Sequence, residues 1–266
     1  MTPEMLPDIH NPNSGPTDTY NALTAAFIDA ITNTPRSLQT RIGPSEIGIP
    51  CDRRLGYKIA GVEKSNDRGV PWKPTIGTAM HTWAEETLAH RNAALPLYDM
   101  LGPRYLLEDR VDVGDEVDGR PLNGDCDLYD RVTGTVVDYK FVGGEPLRKY
   151  RANGPGDQYR VQAHAYGRGW ARRGYPVRHV AVWFLPRDQE FKQNFWWTEP
   201  YDERIVIDAL TRVGGINQMV TALGTAALPL LKTADAMCTF CPYFLPASTE
   251  VDEACPGHPG ATGYLR

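Results

Sequence analysis

The 266-residue chain has no apolar run approaching the roughly 20 residues needed to cross a bilayer. Its opening, MTPEMLPDIHNPNSGP, lacks the basic n-region and apolar h-region of a secretory signal. No P-loop pattern G-x-x-x-x-G-K-[ST] occurs, which excludes an ATP motor of that type. Nor is there an excess of positive charge: 28 Lys and Arg face 33 Asp and Glu, a net −5, so any nucleic-acid site must arise by local clustering. Cysteine is scarce and odd in number, with five residues at 51, 126, 238, 241 and 255. Metal or cluster ligation explains such a set better than a disulfide framework. These absences point to a cytoplasmic protein without membrane attachment. What is present, 41% hydrophobic and 23% charged residues, is the balance of a globular domain with a substantial core.

Residues 1–17 hold four prolines and no periodicity, and read as a flexible tail. From Asp18, Tyr20, Leu23, Phe27 and Ile31 recur at helical spacing until Pro35. A second helix is expected from Pro74-Thr75 onward, burying Ile76, Met80, Trp83, Ala84, Thr87 and Leu88, with His81 and Glu85 on one face. Between about Tyr105 and Val142 the period changes to two, giving three strands with DRVTG as a turn between the last two. A Gly-rich basic loop, 142–156, follows, able to close over a substrate. Then come a helix from Asp157 to Arg173, the strand HVAVWFLP, a further strand within Lys192–Thr198, and a helix from Asp202 to Ala222 broken at Gly214-Gly215. The C-terminal segment reads as irregular. This order describes an α/β or α+β core with a cysteine-rich extension.

The chemistry concentrates between Asn123 and Phe141. Residues two apart on a strand share a face, so Asp138 and Lys140 project together from VVDYKF. Asp125 and Asp127 lie on the preceding strand, and the turn allows one of them to meet Asp138 across the sheet. Carboxylates so held repel unless a cation bridges them, and hard oxygen donors suit Mg²⁺ or Mn²⁺. A surface salt bridge between Asp138 and Lys140 is the plain alternative.

Four patterns occur in order: His81-x3-Glu85, Gly124-x2-Asp127, Val137-Asp138-Tyr139-Lys140 and Gln162-x3-Tyr166. This series resembles the RecB-like branch of the PD-(D/E)XK nuclease superfamily over roughly residues 43–256. The resemblance implies a restriction-endonuclease-like mixed sheet flanked by helices. It also implies metal ligation by His81, Asp127, Asp138 and the carbonyl of Phe141, where many relatives carry a small hydroxyl residue. Lys140 would orient the attacking water and stabilise charge on the scissile phosphate; Glu85 would support the metal from behind or be a surface carboxylate. Gln162 and Tyr166 look like the family's DNA-positioning pair. An imidazole ligand would make Mn²⁺ an effective alternative to Mg²⁺.

Cys238-x2-Cys241, Cys255 and the remote Cys51 in PCDRRLGYK form a set of four thiols; from spacing alone, zinc and iron–sulfur are equally served. Resemblance to the iron–sulfur subgroup (AddB-type nuclease subunits and CRISPR-associated adaptation exonucleases) implies a 4Fe-4S cluster on these four. It would join the N- and C-terminal segments, with the nuclease domain at 18–235 and the cluster segment at 236–266. Cys241 and Cys255 are further apart than in many relatives. Cys126, between the two aspartates, is expected to be a buried core thiol.

Residues 148–178 hold eight basic residues and one acid, including Arg148, Lys149, Arg151 and Arg160, which suits a phosphate-tracking groove with Tyr150, Tyr159 or Trp170 as stacking candidates. The resulting expectation is a metal-dependent DNA exonuclease acting on single-stranded ends. It would work in a phage recombination or CRISPR adaptation setting, with a recombination or replication protein as possible partner. A structure-selective flap or junction endonuclease and a non-catalytic DNA-end-binding module are the alternatives.

Overall fold

In this computed structural model the period-two stretch folds as three antiparallel strands, β1 (Tyr105–Val117), β2 (Arg120–Asp130) and β3 (Thr135–Val142). The structure describes residues 16–33, 41–66, 68–95, 98–117 and 120–260. After β3 the chain crosses over through α5 (Gly144–Asn153) and α6 (Gly156–Arg172) to β4 (His179–Pro186), which lies parallel to β3. A parallel return needs a crossover of a dozen or more residues, and these two helices supply it. β5 (Phe195–Pro200) closes the edge antiparallel to β4, giving the order β1-β2-β3-β4-β5.

The sheet is covered by helices, as expected for a mixed α/β domain. On one face Trp170 and Ala163 of α6 pack with Cys126, Tyr129, Val136, Val180, Val182 and Phe184. On the other, Ala84 and Leu88 of α3 (Trp72–Ala93) meet Leu128, Val137, Tyr139, Ala181 and Leu185. A third cluster gathers α2 (Asp52–Ile59), α7 (Glu203–Leu223) and the four widely spaced cysteines. The chain forms two compact units, Met1–Gln39 with Gly69–Thr75, and Thr40–Arg68 with Ile76–Arg266; the site lies in the second. No helix among the described residues is long and apolar enough to cross a membrane.

Several elements differ from the sequence reading. The first helix, α1 (Pro16–Thr32), starts two residues early on a proline, which the first helical turn accepts; residues 1–15 of the expected tail lie outside those described. The expected glycine-rich loop at 142–156 is mostly helix α5, anchored by fully buried Leu147 against the sheet. Helix α7 passes through Gly214-Gly215 unbroken, because Val206, Leu210, Val213, Ile216 and Val220 bury its apolar stripe and outweigh the ~1 kcal/mol cost of each glycine. Only Ala84 of the six residues expected to bury α3 is fully inside; Trp83 is 55% exposed. Trp170 is fully buried, which removes it as a stacking partner for bases.

Helix α6 is fixed to the β5–α7 corner by His164, whose side chain is wholly buried. Its Nδ1 accepts the Asp202 backbone N–H at 3.1 Å while its Nε2 lies 2.6 Å from Glu199 Oε1, which Arg160 Nε also approaches at 2.6 Å. With Nδ1 occupied as an acceptor, the imidazole is the neutral Nε2–H tautomer. Burial accordingly lowers the His164 pKa, and Glu199 is also held low, by Arg160 and His164 against the opposing effect of its own burial. A folded pKa below the unfolded one gives stability that is complete above the unfolded value and is lost as pH falls toward the folded one. His164→Gln should start about 1–3 kcal/mol less stable at pH 7.5, and the wild-type advantage in Tm over this variant should shrink as pH drops from 7.5 to 5; an advantage independent of pH would contradict the assignment.

Candidate functional site

The β2–β3 ladder holds only through Leu128↔Val137, Tyr129↔Val136 and Asp130↔Thr135. Beyond Leu128 and Val137 the strands part, and Asp127 and Asp138 occupy the opening. The Tyr139 N–H, released from the ladder, donates to Asp127 Oδ2 at 2.6 Å. That fixes the carboxylate and leaves Oδ1 facing His81 Nδ1 at 3.4 Å. His81 arrives from α3 and rests against the rings of Tyr139 and Phe141, with centroids 6.0 and 5.5 Å away. The sequence left Asp125 and Asp127 as rivals. Asp125 is exposed on the surface and pairs with Arg110 at 3.3 Å, whereas Asp127 is buried in the opening.

Asp138 is 1% exposed. Gln162 Nε2 donates to its Oδ1 at 2.8 Å, which ties α6 to β3. Lys140 Nζ lies 2.5 Å from Oδ2, an electrostatic contact without hydrogen-bond alignment, so Oδ2 and the buried Gln162 Oε1 keep unused acceptor capacity. Burial raises the Asp138 pKa to about 6 despite the nearby Lys140 charge. His81 moves the other way: burial opposes its charge, but Asp127 and Glu108 outweigh burial and hold its pKa up at about 9. One opening thus contains a carboxylate reluctant to ionise and an imidazole reluctant to lose its proton. A divalent cation relieves both conditions by binding the anionic and neutral forms respectively.

The donor set suits such an ion. His81, Glu108 and Asp127 each place a ligand atom within 4.8 Å of the other two, the only such group among the described residues. Glu108, on β1, was not among the residues the sequence singled out; it lies 3.9 Å from His81 Nδ1. Glu85 is half-buried one turn away and stands outside the group. Gln162 and Tyr166 share the inner face of α6 and are 5% and 6% exposed. Gly124 brings that face close: a Cβ there would stand 3.1 Å from the Tyr166 ring and 2.8 Å from Pro44.

The basic residues are distributed less one-sidedly than their sequence suggests. On α6, Arg160 pairs with Glu199, Arg168 with Glu203 and Arg172 with Asp112, and Arg173 at its C-terminal cap pairs with Asp109. Arg148, Lys149 and Arg151 are exposed on α5; Lys149 bridges to Glu145, and Arg151 donates to the Gln193 carbonyl. Lys140 Nζ stands 5.0 Å over the ring of Tyr159, which neighbours Tyr150.

Cys51, Cys238, Cys241 and Cys255 line one small open pocket with Arg54, Tyr57 and His258. Cys51 sits at the N-terminus of α2. Backbone N–H groups of Gly257 and His258 donate to the sulfurs of Cys255 and Cys238, each at 3.4 Å. A bridge between Phe244 and Cys255 folds the long 241–255 excursion back to the cavity. Burial pushes the Cys241 thiol up to about 11, so a cation is required to hold it as thiolate at neutral pH. No three of these sulfurs lie within 4.8 Å of one another, wider than the about 3.8 Å that tetrahedral zinc with bonds near 2.3 Å imposes. Cys126, fully buried, is the core thiol expected.

No protein family profile matches the chain, and no curated protein does. Among solved structures it is similar to an alkaline exonuclease from Laribacter hongkongensis, with 11% identity over 74% of this chain and 93% of that one and a TM-score of 0.41. It is also similar to the protein SSO0001, with 14% identity over 86% and 96% and a TM-score of 0.48. A phage-related exonuclease from Haemophilus somnus 129PT is 13% identical over 54% and 74%, with a TM-score of 0.32. Two of these three are exonucleases. The identities are too low to carry chemistry across, which has to come from this chain's own side chains.

Proposed function

We propose that the chain is a divalent-metal-dependent deoxyribonuclease, an exonuclease acting on single-stranded DNA ends. The observation that carries the reading is the buried Asp138–Lys140 pair, 2.5 Å apart, opening beside the His81–Asp127 contact. A structural ion pair has no reason to adjoin an imidazole and further carboxylates in a gap between strands, and buried pairs are weak evidence of stability alone. His81, Asp127, Asp138 and the Phe141 carbonyl are the proposed ligands of Mg²⁺ or Mn²⁺. The ion, when bound, lowers the pKa of a coordinated water and offsets charge at phosphorus.

The chain's own residues do the remainder. Asp138 releases Lys140 when its carboxylate is otherwise neutralised, and the freed ammonium donates to the attacking water and the scissile phosphate. Gln162 keeps Asp138 in its rotamer from below. Tyr166 is proposed to position DNA through Gln162, since its own ring is buried. Arg148, Lys149 and Arg151 on α5 and Arg160 on α6 are assigned to the phosphate backbone; Tyr150, stacked on Phe184, and Tyr159, beneath Lys140, border the site as the candidates for contact with bases.

The cysteine cavity is proposed to hold a 4Fe-4S cluster as a structural clip between α2 and the C-terminal segment. The shared pocket of the four thiols and the backbone N–H groups aimed at two of them support a thiolate-held centre there. Protein purified without oxygen should be brown, with about four irons per chain. Colourless protein with one zinc would contradict this.

End-labelled linear and circular DNAs, single- and double-stranded, digested with Mg²⁺ or Mn²⁺, test the activity. Linear single strands should be shortened from an end and circles spared. Lys140→Ala should lose about 10²–10³-fold in rate while still binding DNA. Cutting of circles would favour the endonuclease alternative, and wild-type rates in Lys140→Ala would exclude the catalytic assignment.

A further inference from the structure

Glu108 is a non-glycine residue with φ of +47°, in the left-handed region that L side chains rarely adopt. It lies within a strand: Leu107 pairs with Leu128 and Asp109 with Cys126, but the 108–127 pairing between them is missing. The kink aims Glu108 out of the alternation, toward the opening between β2 and β3. Its Oε1 lies 3.9 Å from His81 Nδ1, and no lysine or arginine among the described residues pairs with it. A strained backbone that carries a half-buried carboxylate to an imidazole and a second carboxylate has a cost in both conformation and charge. Inside the protein only the His81 imidazolium, which it shares with Asp127, offsets part of that cost.

Asp138 accepts from Gln162 at Oδ1, while its Oδ2 faces the Lys140 charge and keeps acceptor capacity. Tyr139, 2% exposed with its ring 6.0 Å from that of His81, has a buried hydroxyl with no hydrogen-bond partner. We infer that Glu108 is a direct ligand of the divalent ion, so that His81, Glu108 and Asp127 form a one-imidazole, two-carboxylate set that captures the metal. Donor atoms within 4.8 Å of one another are close enough for an ion with bonds of about 2.0–2.2 Å to draw together with small side-chain shifts. The imidazole biases the set toward Mn²⁺ relative to Mg²⁺. The inference rests on the metal-dependent reading above and adds a ligand to it.

Binding of Mn²⁺ to the full chain, followed by the electron paramagnetic resonance signal of the free aquo ion, separates the possibilities without an activity assay. Glu108→Gln, nearly isosteric, should weaken Mn²⁺ binding by about 10–100-fold, while Glu250→Gln on the exposed C-terminal segment leaves it unchanged. Glu108→Gly should relieve the strained φ and leave the metal-free Tm equal or higher, while losing most of the Mn²⁺-induced rise in Tm. Wild-type Mn²⁺ affinity in Glu108→Gln would overturn the inference and leave the nuclease reading intact. Absence of Mn²⁺ binding to the unaltered chain would overturn both.

Discussion

A carboxylate with 1% exposure in a central strand has to be neutralised by its neighbours, and Asp138 is that constraint here. Lys140 answers its charge from the same strand, and Gln162 answers its hydrogen-bonding capacity from α6. Gln162 can reach it only because α6 lies close against the sheet. That approach requires glycine at 124 beneath Tyr166, at 167 beneath Tyr201 and at 169 against Val111, where a Cβ would stand 2.6–3.1 Å from its neighbours. Buried His164, with the partly exposed Glu199 and Arg160, holds the same helix at its other side. Stability and site geometry are thus one problem, solved by placing α6.

The parting of β2 and β3 is the second element. A ladder continued past Leu128 and Val137 would have engaged the Tyr139 N–H with backbone. Its loss is compensated by Asp127, so the carboxylate that faces His81 also closes the end of the ladder. The cysteine end of the domain shares its core with α2, α7, the outer parts of β1 and β2 and Ala165 of α6, and none of the site residues belongs to that cluster.

Much of this was legible in the sequence. The period of two placed Asp138 and Lys140 on one face, and the strand HVAVWFLP matches β4 at both ends. Motif spacing favoured Asp127 over Asp125, and the structure separates the two by burial. Glu108 was not legible, because its role depends on a local kink: the pattern YLLEDRV reads as ordinary alternation, and a positive φ at glutamate has no signal in composition. Helix α5 was hidden by its glycines and basic residues, since only Leu147 and its burial argue for a helix there. The apparent basic face on α6 was misleading for a related reason. Its compensating acids, Asp109, Asp112, Glu199 and Glu203, are distant in sequence and meet it only in the fold.

The central claim is that the gap between β2 and β3 is a divalent-cation site. Anomalous diffraction from crystals grown with Mn²⁺ tests it most directly. The account predicts a single strong peak within about 2.0–2.3 Å of His81 Nδ1 and Asp127 Oδ1, with Lys140 moved off Asp138. A map with no peak there, and His81 still paired to Asp127 at saturating Mn²⁺, would contradict it.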